Sequence, residues 1–114
     1  MNELLIELNF LPPSTNCLYQ HARNKIYLSS KVREFQKKMN CILDPFEKLT
    51  GKVALDITFC FPDSRKRDLD NLLKPLIDSL KHRVIEDDSK VYEITARKVD
   101  KCPEPKTTII IRQM

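Results

Sequence analysis

A ladder of apolar residues at helical spacing, between Leu69 and Leu80, is the feature that most constrains the fold. Its members recur at i, i+3, i+4, i+7, i+8 and i+11, namely Leu69, Leu72, Leu73, Leu76, Ile77 and Leu80. This spacing places them on one face of a helix. The opposite face collects Asp70, Asn71, Lys74, Asp78 and Lys81. The pattern predicts an amphipathic helix whose polar stripe begins at its first turn.

Two segments alternate apolar with polar residues and predict β-strands. They are residues 3–10 and residues 52–61, and a period of two is typical of a strand with one buried face. Further strands are expected at residues 26–28, 90–99 and 107–112, the first of them short. The last two are predicted to form a hairpin, because the segment 101–105 suits a connection longer than two residues.

A second helix is expected after Ser29 or Ser30, either of which can cap its first turn. Its apolar positions are Val32, Phe35, Met39 and Ile42. Asp44 and Pro45 end this helix. Because proline lacks a backbone donor and fixes φ, Pro12 and Pro13 predict a polar loop over residues 12–21.

Composition limits the class of protein. The chain has 114 residues, 41% hydrophobic and 32% charged, which predicts one globular domain over residues 1–114. No apolar run approaches the roughly 20 residues of a membrane helix, so no membrane association is expected. The N-terminal segment lacks the pattern of a secretory signal, so we expect a cytoplasmic protein. The four cysteines are widely spaced, and we expect reduced thiols rather than disulfides or a zinc site.

The net charge of +4 is unevenly distributed. Between His21 and Asn40, the only acid is Glu34, and the six basic residues are Arg23, Lys25, Lys31, Arg33, Lys37 and Lys38. This region is a candidate phosphate-facing surface, with Lys31, Arg33, Lys37 and Lys38 on the exposed side of the first helix. A solvated helix face is the alternative explanation.

Asp68 and Asp70 stand where the Leu69–Leu80 helix begins. At about 100° per residue, two helical positions separated by two point roughly 160° apart. The two carboxylates can therefore share a ligand only if Asp68 lies outside the helix, at its N-cap. Pro75 is expected to kink the helix or loosen its first turn. A purely structural role is equally open, since an N-cap acid and a first-turn acid both stabilise a helix.

Asp87 and Asp88 form a second acidic pair about twenty residues later. The intervening helix leads the chain away and back, so we expect this pair near Asp68. Converging carboxylates repel unless a cation neutralises them, and aspartate oxygens favour Mg²⁺ or Mn²⁺. Such ions promote phosphodiester hydrolysis. Lys74, one turn beyond Asp70, is a candidate for stabilising the transition state or for an ordinary i,i+4 ion pair.

A basic run precedes the first pair of acids. Arg65, Lys66 and Arg67 would attract a phosphate backbone to them. Together, the bases and acids predict an enzyme that cuts a polyanion.

The chain resembles the RusA-type Holliday-junction resolvases of bacteria and their phages. The resemblance rests on PPSTN at residues 12–16, RKRDLDNLLKPLIDSL at residues 65–80 and IEDDSKV at residues 85–91. It implies an α+β fold in two layers, with a mixed β-sheet and about two main helices packed on it. It also implies a homodimer that nicks four-way DNA junctions in recombination and repair, with Mg²⁺ or Mn²⁺ as cofactor, in a bacterial or phage-infected cell.

The resemblance also assigns site residues. The two aspartates of the D-L-D-N motif are Asp68 and Asp70, the lysine of that helix is Lys74, and the second acid of the D-D pair is Asp88. Asp87 is the alternative to Asp88, because Glu86 makes three consecutive acids. Two other functions remain open: a protein that binds junctions or branched DNA without cutting, and a phosphohydrolase of small nucleotides. The second lacks support because the chain has a single glycine and no phosphate loop.

Overall fold

A mixed four-stranded sheet and two helices form the framework of the fold. The computed structural model describes residues 2–14, 19–22, 25–28 and 30–114. In chain order the elements are β1 (Glu3–Leu8), β2 (Tyr19–Ala22), β3 (Lys25–Leu28), α1 (Ser30–Leu43), β4 (Val53–Cys60), α2 (Leu69–Leu80), β5 (Val91–Val99) and β6 (Lys106–Gln113). The order in the main sheet is β1-β6-β4-β5, and β2 pairs with β3 separately. The expected α+β fold is confirmed.

The core lies between one face of the main sheet and the two helices. Alternate residues of β4 are fully buried, from Val53 to Phe59, and Ile109 and Ile111 of β6 continue that surface. The helices bury most of their predicted apolar faces, together with Leu43, which the spacing did not include; the buried residues are Val32, Phe35, Met39, Leu43, Leu72, Leu76 and Leu80. The other predicted positions are only partly buried, namely Ile42, Leu69, Leu73 and Ile77. Burial of these faces is the main stabilising term of the fold.

The unit β4–α2–β5 positions the candidate site. β5 runs parallel to β4, with Val91 beside Val53 and Val99 beside Cys60. Parallel neighbours need a crossover connection, so α2 returns from the carboxyl end of β4 to the amino end of β5. Its twelve residues span about 18 Å. The beginning and end of α2 therefore lie at opposite ends of the sheet.

Two predictions about the connections were wrong. β5 and β6 do not form a hairpin, because β4 lies between them and pairs with both. Beyond the end of β4, the Phe61 N–H donates to the Val99 carbonyl and the Phe61 carbonyl accepts from the Cys102 N–H, so Phe61 separates the two segments there as well. Residues 12–21 are not entirely loop, because β2 begins at Tyr19. Ser29, one of the two expected caps, lies outside the described residues.

Neither α1 nor α2 is long and apolar enough to cross a membrane, and no other described helix is.

Candidate active site at the start of the second helix

Asp68 is the N-cap of α2 and has an extended backbone, with φ −98° and ψ 129°. Its side chain makes no capping hydrogen bond. Asp70 lies in the first turn of the helix and is exposed. One acid is therefore outside the helix and the other inside it, which is the arrangement that a shared ligand requires. Asp68 and Asp70 belong to none of the ion pairs formed among the described residues.

The segment that leads into Asp68 is held by Asp63. Its carboxylate accepts from the Arg67 guanidinium at 2.6 Å, and from Nε and the backbone N–H of Arg65 at 3.1 Å each. The Arg67 guanidinium, and then the Arg65 N–H, hold the pKa of Asp63 well below its usual range. Arg67 also lies over the Phe61 ring, 4.3 Å from its centroid. Two of the three predicted DNA-binding bases are thus engaged within the protein.

A contact from β5 holds the same segment from the other side. Lys98 Nζ donates to the Arg67 carbonyl at 2.6 Å, one residue before Asp68. The side chain of Arg67 is only 22% exposed, whereas Lys66 is exposed. Lys66 is therefore the base of this run that is best placed to meet a ligand.

A recess of about 390 Å³ opens beside Asp68. It brings together the start of the PPSTN motif and the RKRDLDN motif, which are distant in sequence. Its lining residues are Leu11, Pro12, Ser14, Phe61, Lys66, Arg67, Asp68, Asn71 and Leu72. A larger cavity, about 730 Å³, lies beside Cys60 and Cys102 and includes none of the predicted site residues. Thr15 and Asn16 of the first motif lie outside the described residues.

Lys74 is 60% exposed and its Nζ lies 3.5 Å from the Asp78 carboxylate. This i,i+4 pair on an exposed helix face contributes only about 0.3–0.5 kcal/mol. Because the pair is weak, it leaves Lys74 available to another anion. α2 continues without interruption through Pro75.

The acids after α2 differ from one another. Asp87 accepts from the Ser89 hydroxyl at 2.6 Å and from its backbone N–H at 3.2 Å. These bonds, the hydroxyl first, lower the pKa of Asp87. Asp88 is exposed in the first turn of a short 3-10 helix, Asp88–Lys90. Asp87 is therefore committed to a local turn, which favours Asp88 as the acid that meets a ligand.

The structure does not bring the two acidic pairs together within one chain. Asp68 stands at the end of the sheet where Lys98 lies, whereas Asp88 precedes Val91, which is beside Val53 at the opposite end. We expected α2 to bring Asp88 back to Asp68, and this does not hold. Because α2 runs antiparallel to β4 and β5, the start and the end of the helix lie a helix length apart. Among the described residues, no group of three or more His, Cys, Asp or Glu side chains is placed to hold a metal ion.

The predicted basic face of α1 is present. Lys31, Arg33, Lys37 and Lys38 are all exposed. They form none of the ion pairs among the described residues, although Lys38 Nζ lies 5.0 Å from the centre of the Phe10 ring.

The sequence predictions missed Asp63, Phe61 and Lys98, which position the start of α2. The sequence carried a signal for Asp63 only, because an acid four residues before Arg67 can pair with it. Lys98 had no such signal, since it is separated from Arg67 by 31 residues.

Comparisons with known proteins agree with the motifs. A family model described as Endodeoxyribonuclease RusA matches residues 10–112. A crossover junction endodeoxyribonuclease of Enterobacteria phage HK97 is 37% identical over 122 aligned positions, covering 100% of this chain and 98% of the relative. A relative of the same name from Aquifex aeolicus is 31% identical, covering 91% and 87% of the two chains. Another, from Escherichia coli K12, is 33% identical, covering 70% and 68%.

Proposed function

The chain belongs to the RusA endodeoxyribonuclease family, and from this we propose that it is a structure-selective endonuclease that resolves four-way DNA junctions during recombination and repair. The observation that carries the proposal is the start of α2. There, Asp68 and Asp70 lie on the two sides of a helix boundary, engaged by no ion pair of the described residues, beside a recess that Lys66 lines.

We assign Asp68 and Asp70 as ligands of Mg²⁺ or Mn²⁺, with Asp88 as the third ligand. The donor chemistry supports the assignment, because hard divalent ions prefer carboxylate oxygens. The chemistry such an ion supplies is a more acidic water and a stabilised leaving oxygen. The fit is incomplete in one chain, because Asp88 lies at the other end of α2.

The remaining site residues have separate roles in the proposal. Lys66 meets the phosphate backbone in the recess. Asp63 and Lys98 are positioning residues, because they fix the backbone at Arg67 and so the direction of the Asp68 side chain. Lys74, on the polar face of α2, places positive charge where the phosphate acquires negative charge. The basic face of α1 supplies further phosphate contacts.

The biological setting follows from the substrate. Paired cuts in two strands of a four-way junction require two sites with matching symmetry, which a C2 homodimer provides. We propose a homodimer of a single-domain chain that acts on junctions and other branched DNA, in the cytoplasm of a bacterial or phage-infected cell.

The test is incubation of the purified protein with a synthetic four-way junction and Mg²⁺. We expect paired, symmetrical nicks that disappear with EDTA and with Asp70→Asn. Nicks that persist in Asp70→Asn would contradict the assignment. Junction binding that no metal affects, without any incision, would instead support the alternative of a binding protein.

The α1 surface has its own test. Neutralising Lys31, Arg33, Lys37 and Lys38 together is expected to weaken junction binding and to flatten its dependence on salt, because each lost phosphate contact reduces the slope by about 0.9. An unchanged slope would mean that the basic face of α1 is solvated and does not contact DNA.

A further inference from the structure

Two cysteines lie together at the end of the main sheet where β4 finishes. Cys60 is the last residue of β4, and Cys102 comes three residues after the end of β5. Both are free, half-buried thiols, and both line the cavity of about 730 Å³. The Cys102 thiol is in hydrogen-bond contact with the Cys60 side chain. Cys41, another free cysteine, is exposed on α1.

The backbone brings the two cysteines together. Cys60 is paired in register with Val99 of β5. The Phe61 N–H donates to the Val99 carbonyl, and the Cys102 N–H donates to the Phe61 carbonyl, each at 2.8 Å. The Cys102 thiol contacts the Val99 carbonyl at 3.6 Å. Lys101, with φ 56°, makes the left-handed turn that folds Cys102 back across the end of β4.

This arrangement suits a disulfide bond. A disulfide joins cysteines whose Cα atoms are about 4.4–6.8 Å apart, and neighbouring strands of a sheet are about 4.8 Å apart. Cys102 is hydrogen-bonded to the residue that follows Cys60, and the two side chains already touch. Closing the bond therefore requires rotation of the side chains and loss of their protons, while the backbone hydrogen bonds stay in place.

We propose that Cys60 and Cys102 are a thiol-modification site that forms a reversible disulfide with oxidised glutathione, a low-molecular-weight disulfide, as the oxidant. One protein thiolate attacks a sulfur of oxidised glutathione, which forms a mixed disulfide and releases one glutathione. The other protein thiolate attacks the protein sulfur of that mixed disulfide and releases the second glutathione. Two protein thiols are thus oxidised, oxidised glutathione is reduced, and the two thiol protons end on the two glutathione molecules.

Access and reactivity determine how fast the pair responds. The cavity beside it, about 730 Å³, is within the size range of sites that admit small molecules, so a tripeptide disulfide can reach two half-buried thiols. Partial burial, and then the hydrogen bond with Cys60, raise the pKa of Cys102. Because the thiolate is the attacking species, the exchange is slow, roughly minutes to hours.

The pair adjoins two residues that hold the start of α2. Phe61 directly follows Cys60, and its ring lies 4.3 Å from the Arg67 guanidinium. Lys98, next to the end of β5, donates to the Arg67 carbonyl at 2.6 Å. A disulfide joins the strand ends that carry both contacts, so it also stabilises the backbone before Asp68. Only this link to cutting rests on the proposed function.

Redox titration tests the disulfide without any cutting assay. The wild-type chain is equilibrated with glutathione mixtures of increasing oxidised share, quenched in acid, alkylated and mapped by mass spectrometry. We expect a bond between Cys60 and Cys102 that increases with oxidised glutathione and disappears with excess reduced glutathione. Cys41, the internal control, is expected to carry glutathione only. The proposal is overturned if Cys60 and Cys102 also carry only glutathione, or if they link equally to Cys41.

Thermal unfolding measures the effect of the bond. A disulfide that closes a loop of about forty residues without strain should raise the unfolding temperature of the oxidised chain by roughly 10–20 °C. Cys60→Ser and Cys102→Ser should each abolish the shift, and either variant suffices if the other does not fold. Cys41→Ser, the matched control, should retain it. An oxidised wild type that unfolds no later than the reduced protein, or a shift that persists in Cys102→Ser, overturns the proposal.

The link to the candidate active site has its own readout. Between the two unfolding temperatures, the oxidised protein should still cut a four-way junction with Mg²⁺, whereas the reduced protein should not. An oxidised protein that stays folded but loses cutting would show that the disulfide displaces Phe61 or Lys98, and would overturn this link. If the disulfide forms and stabilises the fold but wild type in either state leaves junctions uncut, the nuclease function is wrong and the thiol site stands. Cutting without a disulfide gives the opposite conclusion.

Discussion

Asp63 and Asp68 lie five residues apart in one connection, yet the structure uses them in opposite ways. Asp63 is held by Arg65 and Arg67, with contacts from 2.6 Å, and its pKa falls because the Arg67 guanidinium stabilises the carboxylate. Asp68 belongs to no ion pair of the described residues, and although it occupies the N-cap position of α2, its side chain makes no capping hydrogen bond. Bases beside an acidic motif can therefore position the motif and leave its own acid for a ligand.

The acidic turn repeats this division. Asp87 accepts two hydrogen bonds from Ser89 and closes a turn, whereas Asp88 is exposed. In each pair, one acid organises the backbone and its neighbour is left exposed.

Neutralising Asp68, which belongs to no ion pair of the described residues, is expected to have the largest effect on the rate of junction cutting. Asp68→Asn should slow single-turnover junction cutting by roughly 100- to 1,000-fold, because several kcal/mol of charge stabilisation at the phosphate would be lost, at about 1.4 kcal/mol per tenfold. Junction affinity measured without metal should be retained. Asp44→Asn, at an exposed position after α1, is the matched control. If Asp68→Asn cuts junctions at a rate within tenfold of wild type, Asp68 does not differ from Asp63 in being kept for a ligand.

Lys74→Ala is expected to have the next largest effect. If Lys74 stabilises developing charge, the cutting rate should fall by roughly 10- to 100-fold with little change in junction affinity. Asp78→Asn, which removes only the partner of Lys74, should leave the rate nearly unchanged. An equal loss of rate and affinity would reassign Lys74 to a simple phosphate contact.

The Asp63→Asn variant distinguishes a role of Asp63 in positioning the start of α2 from a role in DNA binding. Without the carboxylate, Arg65 and Arg67 lose their common partner, so the cutting rate should fall by roughly tenfold, as for other residues that orient a ligand. Junction affinity should rise and depend more steeply on salt, because both arginines become available to phosphates. The control is Glu7→Gln, which breaks only the long ion pair with Lys106. A variant with lower affinity would show that the Asp63 contacts present the arginines to DNA.

The helix boundary could be predicted from sequence because it depends on local geometry. Residues two apart cannot share a ligand within a helix, and this requirement placed Asp68 at the N-cap, where the structure has it. The apolar ladders and the alternating strands follow from the same local periodicities.

The sheet order and the site could not be predicted in the same way, because both depend on contacts between distant segments. The choice of β4 over β5 as the neighbour of β6 is made by side chains and backbone groups far apart in sequence. The distance between Asp68 and Asp88 follows from the parallel pairing of β4 and β5, because α2 must then cross from one end of the sheet to the other. The hydrogen bond from Lys98 to Arg67 could not be predicted for the same reason, since the two residues are 31 positions apart in sequence.

The smallest expected effect is on stability in acid. The pKa of Asp63 is lowered from 3.8, so the unfolded chain binds the proton more tightly than the folded chain does. Its contribution to stability is therefore present above about pH 4 and is lost as the pH falls further. Asp56 and Asp87 shift in the same direction, so wild type should lose stability through all three. The unfolding temperature of Asp63→Asn should fall less steeply with decreasing pH than that of wild type below about pH 4. Parallel curves for Asp63→Asn and wild type would mean that the Asp63 contacts orient the start of α2 without stabilising the fold.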